Sequence, residues 1–237
     1  MEENTTAKRS LRERAENYWY HYKWHTVVAA FLVLVITVCS LQMCKKDEYD
    51  GFVMYAGAGE ISKSSSDGDI SDYAKSLSSL KGYFSDTDES GSVGVSYLTL
   101  FLPSEDELRE LESRDDYYVD YSMISNSSEV FKDNMRYSTY YLVFLSEDWY
   151  FEYAEKSEGY FESLENFQLS DSANVAGEYG VYLSSLPIYA KDGISSLPEN
   201  TVVCLRRLSA VASTFDKREN EKAYSSAKEA FLKIISE

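Results

Sequence analysis

The amino-acid sequence predicts a membrane-anchored α/β protein: one helix that crosses a bilayer, then a water-facing domain in which strands alternate with helices. Three observations carry this expectation. The run from Thr26 to Cys44 holds no charged side chain. The chain before it is basic and aromatic. Beyond it, hydrophobic spacing switches repeatedly between the period of a strand and that of a helix.

At about 1.5 Å per helical residue, the 19 residues 26–44 reach about 28 Å, close to the roughly 30 Å of hydrocarbon that a lone span must cross. A buried core helix would show a polar stripe, and the stretch Val27, Val28, Ala29, Ala30, Phe31, Leu32, Val33, Leu34, Val35, Ile36 has none. A cleaved signal peptide would end in small residues, whereas Leu41, Gln42 and Met43 are bulky. Val38 and Met43 likewise disfavour lipid attachment at Cys39 or Cys44. The partner of residues 26–44 is therefore the lipid bilayer. Lys8, Arg9, Arg12, Arg14 and Lys23 precede the span, and only Lys45 and Lys46 closely follow it. That asymmetry predicts a cytoplasmic N-terminus. Tyr18, Trp19, Tyr20, Tyr22 and Trp24 suit the headgroup layer. The expected organisation is a cytoplasmic juxtamembrane segment over residues 1–25, the span over 26–44, a short linker over 45–50 and an extracytoplasmic domain over 51–237.

Residues 45–237 contain 18 basic and 36 acidic side chains. A surface this acidic excludes nucleic acid as a partner and disfavours direct docking on anionic lipid. Cys204 is the only cysteine there, so the domain depends on a hydrophobic core rather than an internal disulfide. About 190 residues suffice for one substantial core or two small lobes.

The expected elements follow in order. Residues 51–56 read as a short apolar strand stopping at Gly57, and residues 57–71 as a Gly/Ser/Asp-rich loop. Tyr73, Leu77 and Leu80 fall at helical spacing, ending near Gly82. A second strand over 93–102 ends at Pro103, after which Ser104 caps a helix through Leu108 and Leu111, with acids in its first turn. Tyr117, Val119, Tyr121 and Met123 alternate with polar neighbours as in a half-buried strand. Residues 127–136 suggest a short helix, 140–145 a buried strand, and 146–156 a helix interrupted at Gly159. Further strands are expected over 179–183 and 201–208. Ala223, Tyr224, Ala227, Ala230, Phe231, Ile234 and Ile235 form the apolar stripe of a terminal helix.

Chemistry is sparse. Both histidines, His21 and His25, precede the span, which leaves the exported part without histidine-based nucleophile pairs or zinc sites. Cys204, between Val203 and Leu205, reads as a small buried hydrophobe. Ser78-Ser79-Leu80-Lys81 matches a short Ser-x-x-Lys pattern without its companion motifs, and Gly57-Ala58-Gly59 lacks the third glycine of a dinucleotide fingerprint, where Ser62 stands. The expectation is recognition, not catalysis. One metal pattern stands out. Asp86, Asp88, Ser90 and Ser92, with Gly91 at the sixth place, match the first part of a calcium loop, although Tyr97 occupies the position of the closing glutamate. Calcium is the ion such a loop would take; the competing reading is an acidic turn. Eighteen of the 21 tyrosines follow the anchor. Tyr117, Tyr118, Tyr121, Tyr137, Tyr140, Tyr141, Tyr150 and Tyr153 either line a cleft or fill the edge of the core.

The segments Tyr49-Asp50-Gly51-Phe52-Val53-Met54-Tyr55-Ala56-Gly57, Tyr140-Tyr141-Leu142-Val143-Phe144-Leu145-Ser146-Glu147-Asp148 and Tyr179-Gly180-Val181-Tyr182-Leu183 resemble extracellular solute-binding proteins of the periplasmic-binding type. The block Asn17-Tyr18-Trp19-Tyr20-His21-Tyr22-Lys23-Trp24-His25 is similar to single-pass membrane proteins of Clostridia-like bacteria. The first resemblance implies an α/β domain, shorter than usual for the family and hence reduced, that binds a small solute in a cleft between lobes. The alternative is a ligand-free interaction or scaffolding subunit that contacts an envelope protein.

Overall fold

The structure, a computed structural model, describes residues 11–44, 49–58, 79–87, 89–114, 116, 118–154, 159–190, 194, 197–208 and 217–236. The chain divides into two units, Met1–Asp47 and Glu48–Glu237.

The first unit is one helix, α1 (Leu11–Cys44), of 34 residues and so about 51 Å long. Its 23-residue stretch Tyr18–Ser40 is long and apolar enough to cross a membrane, and none of it is buried against protein. Both threonine hydroxyls inside the apolar run bond back to their own helix. Thr26 Oγ1 donates to Tyr22 O at 3.0 Å and Thr37 Oγ1 to Val33 O at 2.8 Å, which satisfies them where lipid offers no partner. Tyr18 and Tyr22, one turn apart, stack at 5.2 Å.

The second unit is built on one six-stranded sheet: β1 (Gly51–Gly57), β2 (Val95–Phe101), β3 (Leu142–Ser146), β4 (Val175–Ala176), β5 (Gly180–Tyr182) and β6 (Thr201–Leu205). The order is β2-β1-β3-β6-β5-β4. β1 runs parallel to both β2 and β3, whereas β6, β5 and β4 add antiparallel. Every residue of β3 and β6 is buried, as strands covered on both faces require.

Among the described residues, four helices and short 3-10 turns accompany this sheet: α2 (Glu105–Glu112), α3 (Tyr121–Tyr137), α4 (Glu147–Ala154) and α5 (Lys217–Ser236). On one face Val53, Tyr55, Leu142, Phe144, Val203 and Leu205 pack against Ala227, Phe231 and Ile234 of α5. On the other face Met54, Ala56, Val143, Leu145, Val202 and Cys204 pack against Phe131 and Met135 of α3 and Tyr150 and Tyr153 of α4. The α5 stripe expected from the sequence is therefore its core face, with Tyr224 at the rim. The helix after Pro103 begins with a full capping box: Glu107 N donates to Ser104 Oγ at 3.3 Å and Ser104 N to Glu107 Oε2 at 2.7 Å.

Several expectations are corrected. The alternating segment around Val119, Tyr121 and Met123 is not a strand. Asp120 accepts from Ser122 N and Met123 N at 3.0 and 3.2 Å and starts α3 there. The short helix expected over 127–136 is the second half of this 17-residue helix. Leu80 lies in a single 3-10 turn, Ser79–Tyr83, while Tyr73 and Leu77 fall outside the described residues. The strands expected over 179–183 and 201–208 are shorter, as β5 and β6, and the two-residue β4 stands where no strand is expected.

Close packing sets one local test. A Cβ on Gly180 would lie 2.4 Å from Val202 Cγ1 and 2.8 Å from Tyr150 Cε2, whereas one on Gly82 would meet nothing within 4 Å. Gly180→Ala is expected to destabilise the domain by about 1–3 kcal/mol through overpacking, and Gly82→Ala to leave the melting midpoint nearly unchanged. Equal midpoints for the two variants in thermal unfolding would contradict this packing.

Candidate functional site

In open sheets with parallel strands, ligands sit outside the carboxyl ends of the strands where the strand order reverses. Here β1 has β2 on one side and β3 on the other, so that point lies between β1 and β3. Gly57 ends β1 and Ser146 ends β3, and Ser146 is paired with Thr201 at the start of β6. The three form a row on the face covered by α5. The Tyr55 hydroxyl lies 2.6 Å from where a Cβ of residue 57 would be, and Ser146 Cβ 3.3 Å from it. Glycine at 57 therefore makes room for the Tyr55 ring to fold over the end of its own strand. Ser146 Oγ and Thr201 Oγ1 are buried with no hydrogen-bond partner among the described residues. Unpartnered hydroxyls in a protein interior are costly, about 1–3 kcal/mol each, and mark a place where water or a ligand group is accommodated.

On the other face of the same end, Tyr182 donates to Glu147 Oε1 at the start of α4. That hydrogen bond pushes the Tyr182 phenol up to about 12, with burial adding to it. Trp149 Nε1 donates to Leu102 O at 3.0 Å and ties α4 to the end of β2. Among the described residues neither hydroxyl of the row has a hydrogen-bond partner, so each can donate to or accept from a polar group placed there.

The calcium-loop residues occupy a turn before β2. Gly91 has φ +84°, the left-handed conformation expected of the sixth position. Both Asp86 carboxylate oxygens are engaged by the turn itself: Ser90 N donates to one at 3.1 Å and Gly91 N to the other at 2.7 Å. Ser90 Oγ donates to Ser92 O at 3.0 Å, and Asp88 lies outside the described residues. The turn is further anchored by buried Asp50, which accepts from Thr87 N, Thr87 Oγ1 and Gly94 N at 2.7, 2.7 and 2.9 Å. Sequence reasoning missed Asp50, although a lone acid opening an apolar strand was its signal. Among the described residues no group of three or more His, Cys, Asp or Glu side chains is placed to hold a metal ion.

The tyrosines do not converge on a cleft. Tyr141, Tyr150 and Tyr153 are buried on opposite faces of the sheet, and Tyr118, Tyr121 and Tyr137 are exposed; Tyr117 lies outside the described residues. Tyr150 OH accepts from Tyr179 N at 3.1 Å. Cys204 is fully buried, and burial holds its thiol far above the ordinary range, which keeps it unreactive. Ser78 and Gly59 lie outside the described residues. Comparison with protein-family models, with curated proteins and with solved structures finds no match to this chain.

Two measurements follow. With Asp86 committed to backbone amides, millimolar calcium and then chelator should leave the melting midpoint unchanged; a calcium-dependent rise would show that the turn opens to bind the ion. Burial raises Tyr141, Tyr150 and Tyr224 above the ordinary phenol range, and the Glu147 bond raises Tyr182. Groups raised in the folded state contribute stability that is fully present below the unfolded value, about pH 10, and lost as pH climbs through the folded values. Arg206, lowered by burial to about 10, works in the opposite sense but is one group against four. The midpoint should fall above about pH 10, with tyrosinate absorbance lagging that of the unfolded chain; a flat midpoint through that range would contradict the assignment.

Proposed function

We propose that this chain is a single-pass membrane protein with a cytoplasmic N-terminus, whose residues 51–237 form an extracytoplasmic domain that acts by surface recognition, as an interaction or scaffolding subunit of an envelope complex. The observation that carries this reading is the use of both sheet faces. Helices and 3-10 turns pack each face with apolar side chains, and the large buried tyrosines serve that packing. Recognition then falls to the outer surface. The apolar 23-residue stretch of α1 supports the anchor, and the excess of cations before it supports the orientation.

A second reading is favoured by one specific observation. The unpartnered Ser146 and Thr201 hydroxyls at the strand-order reversal suit a small polar solute at the carboxyl ends of β1 and β3, in keeping with the likeness to a reduced solute-binding domain.

The topology is tested with full-length protein in intact cells. A Glu165→Cys variant should react with a membrane-impermeant maleimide, and an N-terminal epitope should become accessible only after permeabilisation; the reverse pattern would overturn the proposal. The two readings separate in a thermal-shift screen of the purified full chain against sugars, amino acids and peptides. Surface recognition predicts no shift with small solutes, whereas a shift abolished by Ser146→Ala or Thr201→Val would establish the solute site instead.

A further inference from the structure

We propose that α2 and the exposed start of α3 form a docking surface for a cationic, amphipathic segment of another envelope protein, an inference that rests on the surface-recognition reading above. Among the described residues of the domain, Tyr49, Tyr137 and Phe151 are exposed singly, and one short stretch exposes several large side chains together. Tyr118, Tyr121 and Met123 are 88%, 58% and 46% exposed within six positions of the chain. Single exposed apolar residues are ordinary, but a cluster of large ones marks an interaction surface.

The cluster is exposed because of how the two helices are held. Ser127, Phe131 and Met135 are the buried residues of α3, so its first turns make no contribution to the core. No residue of α2 is buried, and Leu108 and Leu111 are only half-covered. The Tyr121 hydroxyl donates to Glu112 Oε1, which joins the end of α2 to the start of α3 and makes one face of the two.

Charge identifies the occupant. Residues 104–120 contain eight acids and two arginines. Arg109 is already held by Glu105 and Asp106 at 3.3 and 2.9 Å, and Arg114 lies 3.4 Å from Asp116. The face is thus an apolar centre with an anionic rim, complementary to Lys or Arg residues flanking apolar ones. A second copy would bring the same acids against themselves, and an anionic membrane or nucleic acid would be repelled.

The test uses the full chain in zwitterionic nanodiscs and a labelled Lys/Leu amphipathic peptide of about 18 residues, read against empty nanodiscs. Wild-type protein should bind it and reject a Glu/Leu peptide of the same pattern. The triple variant Tyr118→Ser, Tyr121→Ser, Met123→Ser and the double variant Asp106→Asn, Glu110→Gln should each weaken binding on the order of tenfold, with unchanged melting midpoints. The remote control Glu165→Gln, Asp171→Asn, which removes the same charge elsewhere, should change affinity less than about twofold. Equal weakening by the remote control, insensitivity to the face variants, or no binding by wild type would each overturn the inference. So would sedimentation showing dimers that the face variants dissociate, since a second copy would then be the occupant. The thermal-shift screen against small solutes tests the surface-recognition reading independently, so the docking face can fail while that reading stands.

Discussion

A single buried cation determines how the layers of the domain meet. Arg206 follows β6 and is 2% exposed, and no carboxylate among the described residues forms an ion pair with it. Its guanidinium donates to Asn134 O and Ser138 O at the end of α3, where the carbonyl end of the helix carries partial negative charge. It also lies 4.7 Å above the Tyr141 ring, a cation–π contact strengthened by desolvation. Burial lowers its pKa to about 10, so it stays charged at neutral pH. Nη1 and Nη2 meet these two carbonyls while Nε has no partner among the described residues, so the two contacts that make the buried charge tolerable tie the α3 C-terminus to the end of β6.

That constraint passes through the sheet to the opposite layer. Tyr141, whose ring lies under the guanidinium and whose carbonyl accepts from Arg206 N at 2.8 Å, donates its hydroxyl to Asn220 of α5 at 2.9 Å. Ser226, further along α5, donates to Asp50 O at the start of β1, and the Asp50 carboxylate holds the turn before β2. Polar contacts thus register both covering layers and the parallel half of the sheet, while apolar burial supplies the bulk of the stability. With α3 pinned at its C-terminal end, its first turns project beyond the core, and the exposed aromatic cluster follows from that geometry.

The parts of this fold that were legible in the sequence are those where several local signals agree. Ser104 and Glu107 stand at capping-box spacing, the α5 stripe from Ala223 to Ile235 repeats over more than three turns, and the apolar runs of β1 and β3 are bounded by Gly57 and by the acids of α4. The segment 117–123 misled because four alternating residues fit a strand, while the deciding feature was one side chain, Asp120, acting as an N-cap. A strand of two residues such as β4 carries no measurable period and exists by pairing with β5, which in turn pairs with β6. At the candidate site, Gly57 was visible as a strand stop. Its partnership with Ser146 and Thr201 was not, because it depends on the register of strands distant in sequence.

Anchorage changes what such a surface has to accomplish. A domain confined to one side of a bilayer meets other membrane-bound partners at a high effective concentration, so a contact of modest intrinsic affinity suffices for occupancy. Strong acidity complements this arrangement. On the proposed reading it repels anionic headgroups and further copies of the domain, so that the exposed face between α2 and α3 is left to a partner of opposite charge. Selectivity then comes less from the apolar centre, which many greasy segments fit, than from the penalty the rim imposes on every anionic surface in the same compartment.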